Sequence, residues 1–289
     1  MKASYLFTIL ISLVLVGCGG KNVKYFSGKI NTDAVFTPAL NTNDPHPPAV
    51  IVIHSAGGSN DGTTSALSAS LNKQGIATLQ PSYWKRPDGG IPPEFLVPTL
   101  FGAIDYLVKE QQIDPKRIGI AGYSFGAHMS LLAASEYLTE TEGNGYQFAA
   151  IAPIYPACWL NEQVMLGKRD NIKGLPRKVY LPGQTFTNFI DAPIAIFAAG
   201  KDDYDARDPD ACLKMLEALS PEAKKNITLK VYPEATHGWN QIHAKRKPLK
   251  LWAPFACKGE GCEITLEWNQ QVTDLNVKEV TDFFVKNLK

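Results

Sequence analysis

Charge of one sign is scarce in this chain: 29 lysines and arginines stand against 28 aspartates and glutamates, a formal net charge of +1. Such a balance gives no global attraction to a polyanion, so nucleic acid is not an expected partner. Internal repeats and low-complexity tracts are missing too, which leaves one globular unit as the simplest organisation. The apolar run Leu6–Val16, preceded by Lys2, is too short to span a bilayer and has the charged front and apolar middle of an export signal. Histidine is sparse, with five in 289 residues, and none lies at ligand spacing around the cysteines. A metal site at the cysteines is therefore not expected.

The apolar run ends in Leu15-Val16-Gly17-Cys18, which resembles the lipobox of bacterial lipoproteins. The resemblance implies removal of residues 1–17 as a signal peptide and lipidation of Cys18. The product would be an exported, membrane-anchored lipoprotein facing the periplasm or the cell surface. Several acyl chains on one cysteine exceed the marginal hold of a single chain. The alternative is an ordinary secretory signal cut nearby, with Cys18 discarded or unmodified. Either route leads to an oxidising compartment, where the even set Cys158, Cys212, Cys257 and Cys262 predicts two disulfides. The spacer Lys-Gly-Glu-Gly suits a small Cys257–Cys262 loop, which would leave Cys158 for Cys212; the sequence permits three connectivities.

The 272 residues after the signal, within a chain 45% hydrophobic and 20% charged, suit one large folded domain. Residues 18–47 read as a tether with a candidate edge hairpin, since Val23–Phe26 and Ala34–Phe36 resemble short strands. From residue 48 to 289 apolar runs alternate with helical patterns. Strands are predicted near Val50–His54, Ile76–Gln80, Arg117–Ala121, Ala149–Ile154, Pro193–Ala199 and Ile227–Tyr232. Helices are predicted near Thr64–Gln74, Thr99–Gln112, Phe125–Leu138, Pro209–Leu219 and Thr273–Asn287. Continuous apolar strands interleaved with helices mean a doubly wound, mostly parallel α/β sheet with helices on both faces.

Between a predicted strand and a predicted helix lies Gly122-Tyr123-Ser124-Phe125-Gly126, the G-x-S-x-G form of a nucleophile elbow. A sharp turn there would lift the Ser124 hydroxyl above the sheet edge at a helix N-terminus, where developing negative charge is tolerated. A serine needs a base, and a histidine works best when a carboxylate orients it. His237 follows the last predicted strand and so projects from the same edge. Of the others, His46 is expected to be exposed, His128 packed or capping, His243 solvated and His54 a support for its own loop. Asp202 and Asp203 follow the intervening strand, in the order nucleophile, acid, base. Asp203 is preferred, because related loops carry the acid three residues after the glycine. The oxyanion donors are expected from the backbone N–H of Phe125 and of Ala56 in His54-Ser55-Ala56-Gly57-Gly58.

The elbow, the His54–Gly58 loop, Arg86-Pro87-Asp88-Gly89-Gly90, Ile113–Gly119, Ile154-Tyr155-Pro156, Gly200–Asp203 and Val231–Gly238 together resemble the dienelactone hydrolase family of α/β-hydrolases. The resemblance covers roughly residues 48–240. It implies the α/β-hydrolase fold, hydrolysis by acyl transfer of a small-molecule ester without metal or organic cofactor, and a triad of Ser124, Asp203 and His237. The family's namesakes carry a cysteine nucleophile where this chain has Ser124, so a serine esterase is expected in place of a dienelactone hydrolase proper. A peptidase or amidase on the same fold, or a non-catalytic surface-lipoprotein binding module, are the alternatives. Two segments look like additions to the core, near 158–191 with Trp159, Tyr180, Phe186 and Phe189, and near 239–268. Long loops on a rigid scaffold tend to shape binding. The basic run His243–Lys250 reads as a solvated loop.

Overall fold

The computed structural model describes residues 19–83, 90–92, 95–168 and 187–289. The expected signal peptide, Cys18, residues 86–89 of the Arg86–Gly90 motif, and Tyr180 and Phe186 of the first insertion lie outside the described residues.

An eight-stranded sheet in the order β1-β2-β4-β3-β5-β6-β7-β8 forms the centre. Its parallel part comprises β3 (Ala49–Ile53), β4 (Ala77–Pro81), β5 (Ile118–Tyr123), β6 (Ala150–Ile154), β7 (Ile194–Lys201) and β8 (Ile227–Thr236). The hairpin of β1 (Lys21–Phe26) and β2 (Asn31–Thr37) adds antiparallel to β4 and forms one edge. Only Gly19 and Gly20 thus separate Cys18 from the sheet.

Every residue of β3, β5 and β6 is buried, which explains why these strands read as unbroken apolar runs with no polar alternation. Alternate side chains feed two cores. Ile51, Ile53, Ile118, Ile120 and Ile151 pack with residues of α2 (Leu96–Gln111) and α3 (Phe125–Ala134) on one face. Val50, Val52, Ala121, Ala150 and Ala152 pack with Leu67 and Leu71 of α1 (Ser65–Lys73) and with Val280, Phe284 and Leu288 on the other. Burying one such large side chain contributes roughly 1.5–3 kcal/mol. The sequence places one helix over Phe125–Leu138; the structure divides it at Ser135, whose φ of −62° and ψ of 122° are extended. The Ser135 hydroxyl accepts the Leu138 N–H at 3.3 Å and so caps a new helix, α4 (Glu136–Glu142).

Both insertions carry structure that the sequence patterns do not reveal. The first contains α5 (Cys158–Met165), whose first residue is disulfide-bonded to Cys212 in α6 (Ala211–Glu217). After the short α7 (Pro221–Lys224) and β8, the second insertion folds as an antiparallel hairpin of β9 (Leu249–Ala253) and β10 (Cys262–Leu266). The Cys257–Cys262 disulfide closes its connection, and Ala244, Ala253, Ala256, Ile264 and Leu266 form a small core of their own. The last element, α8 (Gln270–Leu288), returns across the sheet. None of the described helices is long and apolar enough to cross a membrane.

Candidate active site

The elbow between β5 and α3 is built by two glycines that tolerate no Cβ. A Cβ on Gly122 would lie 2.0 Å from the Gly126 carbonyl oxygen, and one on Gly126 would lie 2.5 Å from that of Ile53. Ser124 sits between them at φ 54° and ψ −105°, a left-handed backbone that a non-glycine residue adopts only where its surroundings impose it. Its N–H donates to the Ile154 carbonyl at 2.9 Å, which ties the turn to the end of β6. The half-buried hydroxyl stands at the start of α3.

Ser124 Oγ lies 2.7 Å from His237 Nε2. His237 follows β8 directly and is 4% exposed. Its ring is held between Tyr155 and Tyr204, with centroids 5.0 and 4.4 Å away. Its Nδ1 lies 2.7 Å from Oδ2 of Asp202, which is 2% exposed. Asp202, and not Asp203, therefore takes the position behind the imidazole. The reason is the end of β7: its pairing with β8 is irregular between Ala199 and Lys201, and the strand runs on through Lys201. Asp202 becomes the first side chain beyond the strand, on the side of the β8 exit. Asp203 turns the other way, where it accepts from Arg207 Nε at 2.6 Å and from the Thr265 N–H of β10 at 2.7 Å. The Tyr204 N–H donates to Asp202 Oδ1 at 2.9 Å, so both oxygens of the carboxylate are engaged.

Ala56 is exposed in the turn after β3, and Phe125 opens α3. The close packing of Gly126 on the Ile53 and His54 carbonyls brings this turn beside the elbow. The turn is braced from below: the Ser55 hydroxyl donates to Asp61 at 2.6 Å, accepts from Gln241 Nε2 at 2.8 Å and accepts from the Gly57 N–H at 3.1 Å. Gln241 lies four residues after His237, so one amide links the base loop to the Ala56 turn. His54 is buried, accepts the Tyr83 N–H on Nε2 at 3.1 Å, and faces Phe125 with ring centroids 6.4 Å apart. Burial holds its basicity below the ordinary histidine range, in keeping with a neutral supporting ring. His128 contacts Asn161 of α5 at 2.7 Å, while His46 and His243 are exposed. A cavity of about 270 Å³ lined by His54, Ser59, Thr64 and Gln80 lies beside this turn, and no triad residue lines it.

Cys158, Asp205 and Cys212 bring ligand-type atoms within 4.8 Å of one another, but the two sulfurs are bonded to each other and offer no thiolate. Sequence reasoning did not single out Asp205, Ser55, Asp61 or Gln241. A polar residue in a loop carries no sign of burial until the fold closes over it.

The model of the dienelactone hydrolase family matches residues 35–286. Among solved structures, the chain is similar to a dienelactone hydrolase candidate from Klebsiella pneumoniae subsp. pneumoniae, with a TM-score of 0.65 and 16% identity over 92% of this chain and 98% of that one. It is similar to Est1E from Butyrivibrio proteoclasticus, with a TM-score of 0.59 and 18% identity over 93% and 98% of the two chains. It is also similar to a dienelactone hydrolase-like promiscuous phosphotriesterase from metagenomic libraries, with a TM-score of 0.62 and 15% identity over 93% and 98%. The α/β-hydrolase fold is what these likenesses have in common. No curated protein matches the chain.

Proposed function

The chain belongs to the dienelactone hydrolase family, and on that premise we propose that it is a serine hydrolase cleaving a carboxylic ester through an acyl-enzyme. The observation that carries the reading is the unbroken path from Asp202 to His237 to Ser124, each step 2.7 Å. Ser124 Oγ attacks the acyl carbon while His237 Nε2 takes its proton, and the ionised Asp202 fixes the tautomer and balances the imidazolium. The N–H groups of Ala56 and Phe125 receive the oxyanion, Phe125 with the support of the α3 N-terminus. His237 then protonates the leaving alkoxide and activates the water that releases the acid.

The test is covalent labelling of the purified protein by a fluorophosphonate, with the modified peptide mapped beside Ser124→Ala and His237→Ala. Labelling at Ser124 that is lost in both variants supports the reading; a folded protein that does not label overturns it. Matched ester and anilide substrates then separate an esterase from an amidase.

We propose in addition that Cys18 carries the lipid anchor. With β1 starting at Lys21, three residues after Cys18, the connection spans at most about 11 Å, so the β1–β2 edge would lie close to the bilayer. Cys18→Ala should move the protein from the membrane to the soluble fraction; retention in the membrane would refute the anchor.

A further inference from the structure

The loop that supplies Asp202 carries another buried carboxylate. Asp205 is 4% exposed, and both of its oxygens accept backbone N–H groups, Oδ1 from Trp159 at 2.7 Å and Oδ2 from Cys158 at 3.0 Å. These are the first two residues of α5, whose N–H groups have no partner within the helix. The disulfide from Cys158 to Cys212 lies against the same carboxylate and joins the start of α5 to α6, which follows the acid loop in the chain. Within the loop, the Asp202 carbonyl accepts the N–H of Asp205 at 3.2 Å and of Arg207 at 2.8 Å. Ala206 and Arg207 adopt left-handed φ values of 54° and 57°. A loop with two such residues keeps its shape only where its surroundings over-determine it.

We propose that Asp205 is a positioning residue for the triad: its ionised carboxylate, seated on the first two N–H groups of α5 and backed by the Cys158–Cys212 disulfide, holds the 202–207 loop so that Asp202 stays on His237. The inference rests on the serine-hydrolase reading. The residue type is specific to the task, because an amide here would set one N–H against another. Asp202 from its own loop and His237 from the loop after β8 act on Asp205 by charge. Tyr204 beside it is pushed up to about 12 and stays neutral, while α5 contributes the Cys158 and Trp159 N–H groups and α5 and α6 the two disulfide sulfurs. Burial, reinforced by the charge on Asp202, pushes the Asp205 carboxyl up to about 7 against the two N–H groups, which favour the anion. Protonation converts one acceptor oxygen into a donor and loosens the clamp. Activity then depends on the deprotonation of Asp205.

The experiment measures kcat, KM and their pH dependence for the full chain and for Asp205→Asn on an activated ester, with thermal unfolding alongside. The expected result is a fall in kcat of about tenfold or more with KM within about twofold, the signature of a displaced catalytic group. On the acid limb, log(kcat/KM) should rise more steeply in the parent than in Asp205→Asn, by about one unit of slope for the proton that Asp205 loses. An equal slope in both, or a loss of stability with kcat unchanged, overturns the proposal. Should Asp205→Asn fail to fold, the Cys158→Ala/Cys212→Ala pair replaces it: a fall in kcat with KM held supports the clamp, and an unchanged kcat overturns it. The parent protein's fluorophosphonate labelling separates the two failures. No labelling at Ser124 removes the serine-hydrolase reading and this inference with it, whereas labelling with an unaffected Asp205→Asn removes this inference alone.

Discussion

Asp202→Asn and Asp203→Asn, two neighbouring and chemically identical changes, should have opposite consequences. Asp202 Oδ2 is the partner of His237 Nδ1 at 2.7 Å in a site from which solvent is almost excluded. An amide there can present N–H to the ring nitrogen and favour the wrong tautomer, with no charge to balance an imidazolium. An acid-to-amide change in such a triad lowers kcat by about 10⁴, or about 5 kcal/mol of transition-state stabilisation. Asp203 holds Arg207, whose side chain is 55% exposed, so that pair contributes at most about 1 kcal/mol. Its bond from the Thr265 N–H adds about 1–2 kcal/mol, part of which an asparagine oxygen can retain. Asp203→Asn should therefore lower Tm by about 2–8 °C and leave kcat/KM within about fivefold. Steady-state hydrolysis of an activated ester, with Ser124→Ala as the floor, measures one effect and calorimetry the other. A larger loss of turnover in Asp203→Asn than in Asp202→Asn would refute the assignment of Asp202.

Gly122→Ala should abolish both labelling and turnover, because its Cβ would lie 2.0 Å from the Gly126 carbonyl oxygen; a soluble, fully active variant would refute the elbow geometry. The Cys158–Cys212 bond spans 54 residues and the Cys257–Cys262 bond five, so chain entropy gives about 4 and about 2 kcal/mol respectively. Calorimetry of the two double-alanine variants should rank them in that order, and the reverse order would contradict it. Burial lowers the basicity of His54 and His128 below the ordinary value of 6.5, so the unfolded chain binds protons that the folded one refuses. Their contribution to stability is present above about pH 6.5 and is lost as pH falls below it. Urea unfolding between pH 8 and pH 5 should therefore be less pH-dependent in His128→Asn than in the parent, and equal slopes would refute the assignment.

The parallel sheet was legible because burial on both faces leaves no room for polar residues in β3, β5 and β6, and unbroken apolar runs survive as a signal in the sequence alone. Ser124 was legible for a related reason, since it stands at the carboxyl end of such a run, and His237 because it directly follows the last strand of the sheet and so shares that edge. The α3–α4 break at Ser135 was not, because a helical pattern continues through it and only the extended backbone of the capping serine ends the first helix. The hairpin of β9 and β10 was hidden because Ala253, Ile264 and Leu266 bury in a small core of their own while Leu251 and Trp252 stay exposed, so no continuous buried run marks it. The assignment of the acid depended on a single residue of register at the end of β7, and an irregularity in pairing leaves no trace in composition or spacing.

The acid loop that begins at this register is held by what surrounds it. Asp202, Asp203 and Asp205 leave one tight turn in three directions, toward His237, toward the β9–β10 insertion and toward α5. The insertion grips the Asp203 side, with the Cys257 N–H on the Asp203 carbonyl at 2.9 Å and the Lys258 N–H on the Tyr204 carbonyl at 3.0 Å. Helix α5 grips the Asp205 side. Each gripping element is closed by a disulfide at the point of contact, at Cys257 on one side and at Cys158 on the other. An isolated turn with two left-handed residues would sample many conformations and place Asp202 on the imidazole only part of the time. Held from both sides by covalently closed elements, it has the preorganisation that a triad requires of its least mobile member. Both sequence segments that look like additions to the core therefore support the acid loop, whatever further part their remaining residues take in binding.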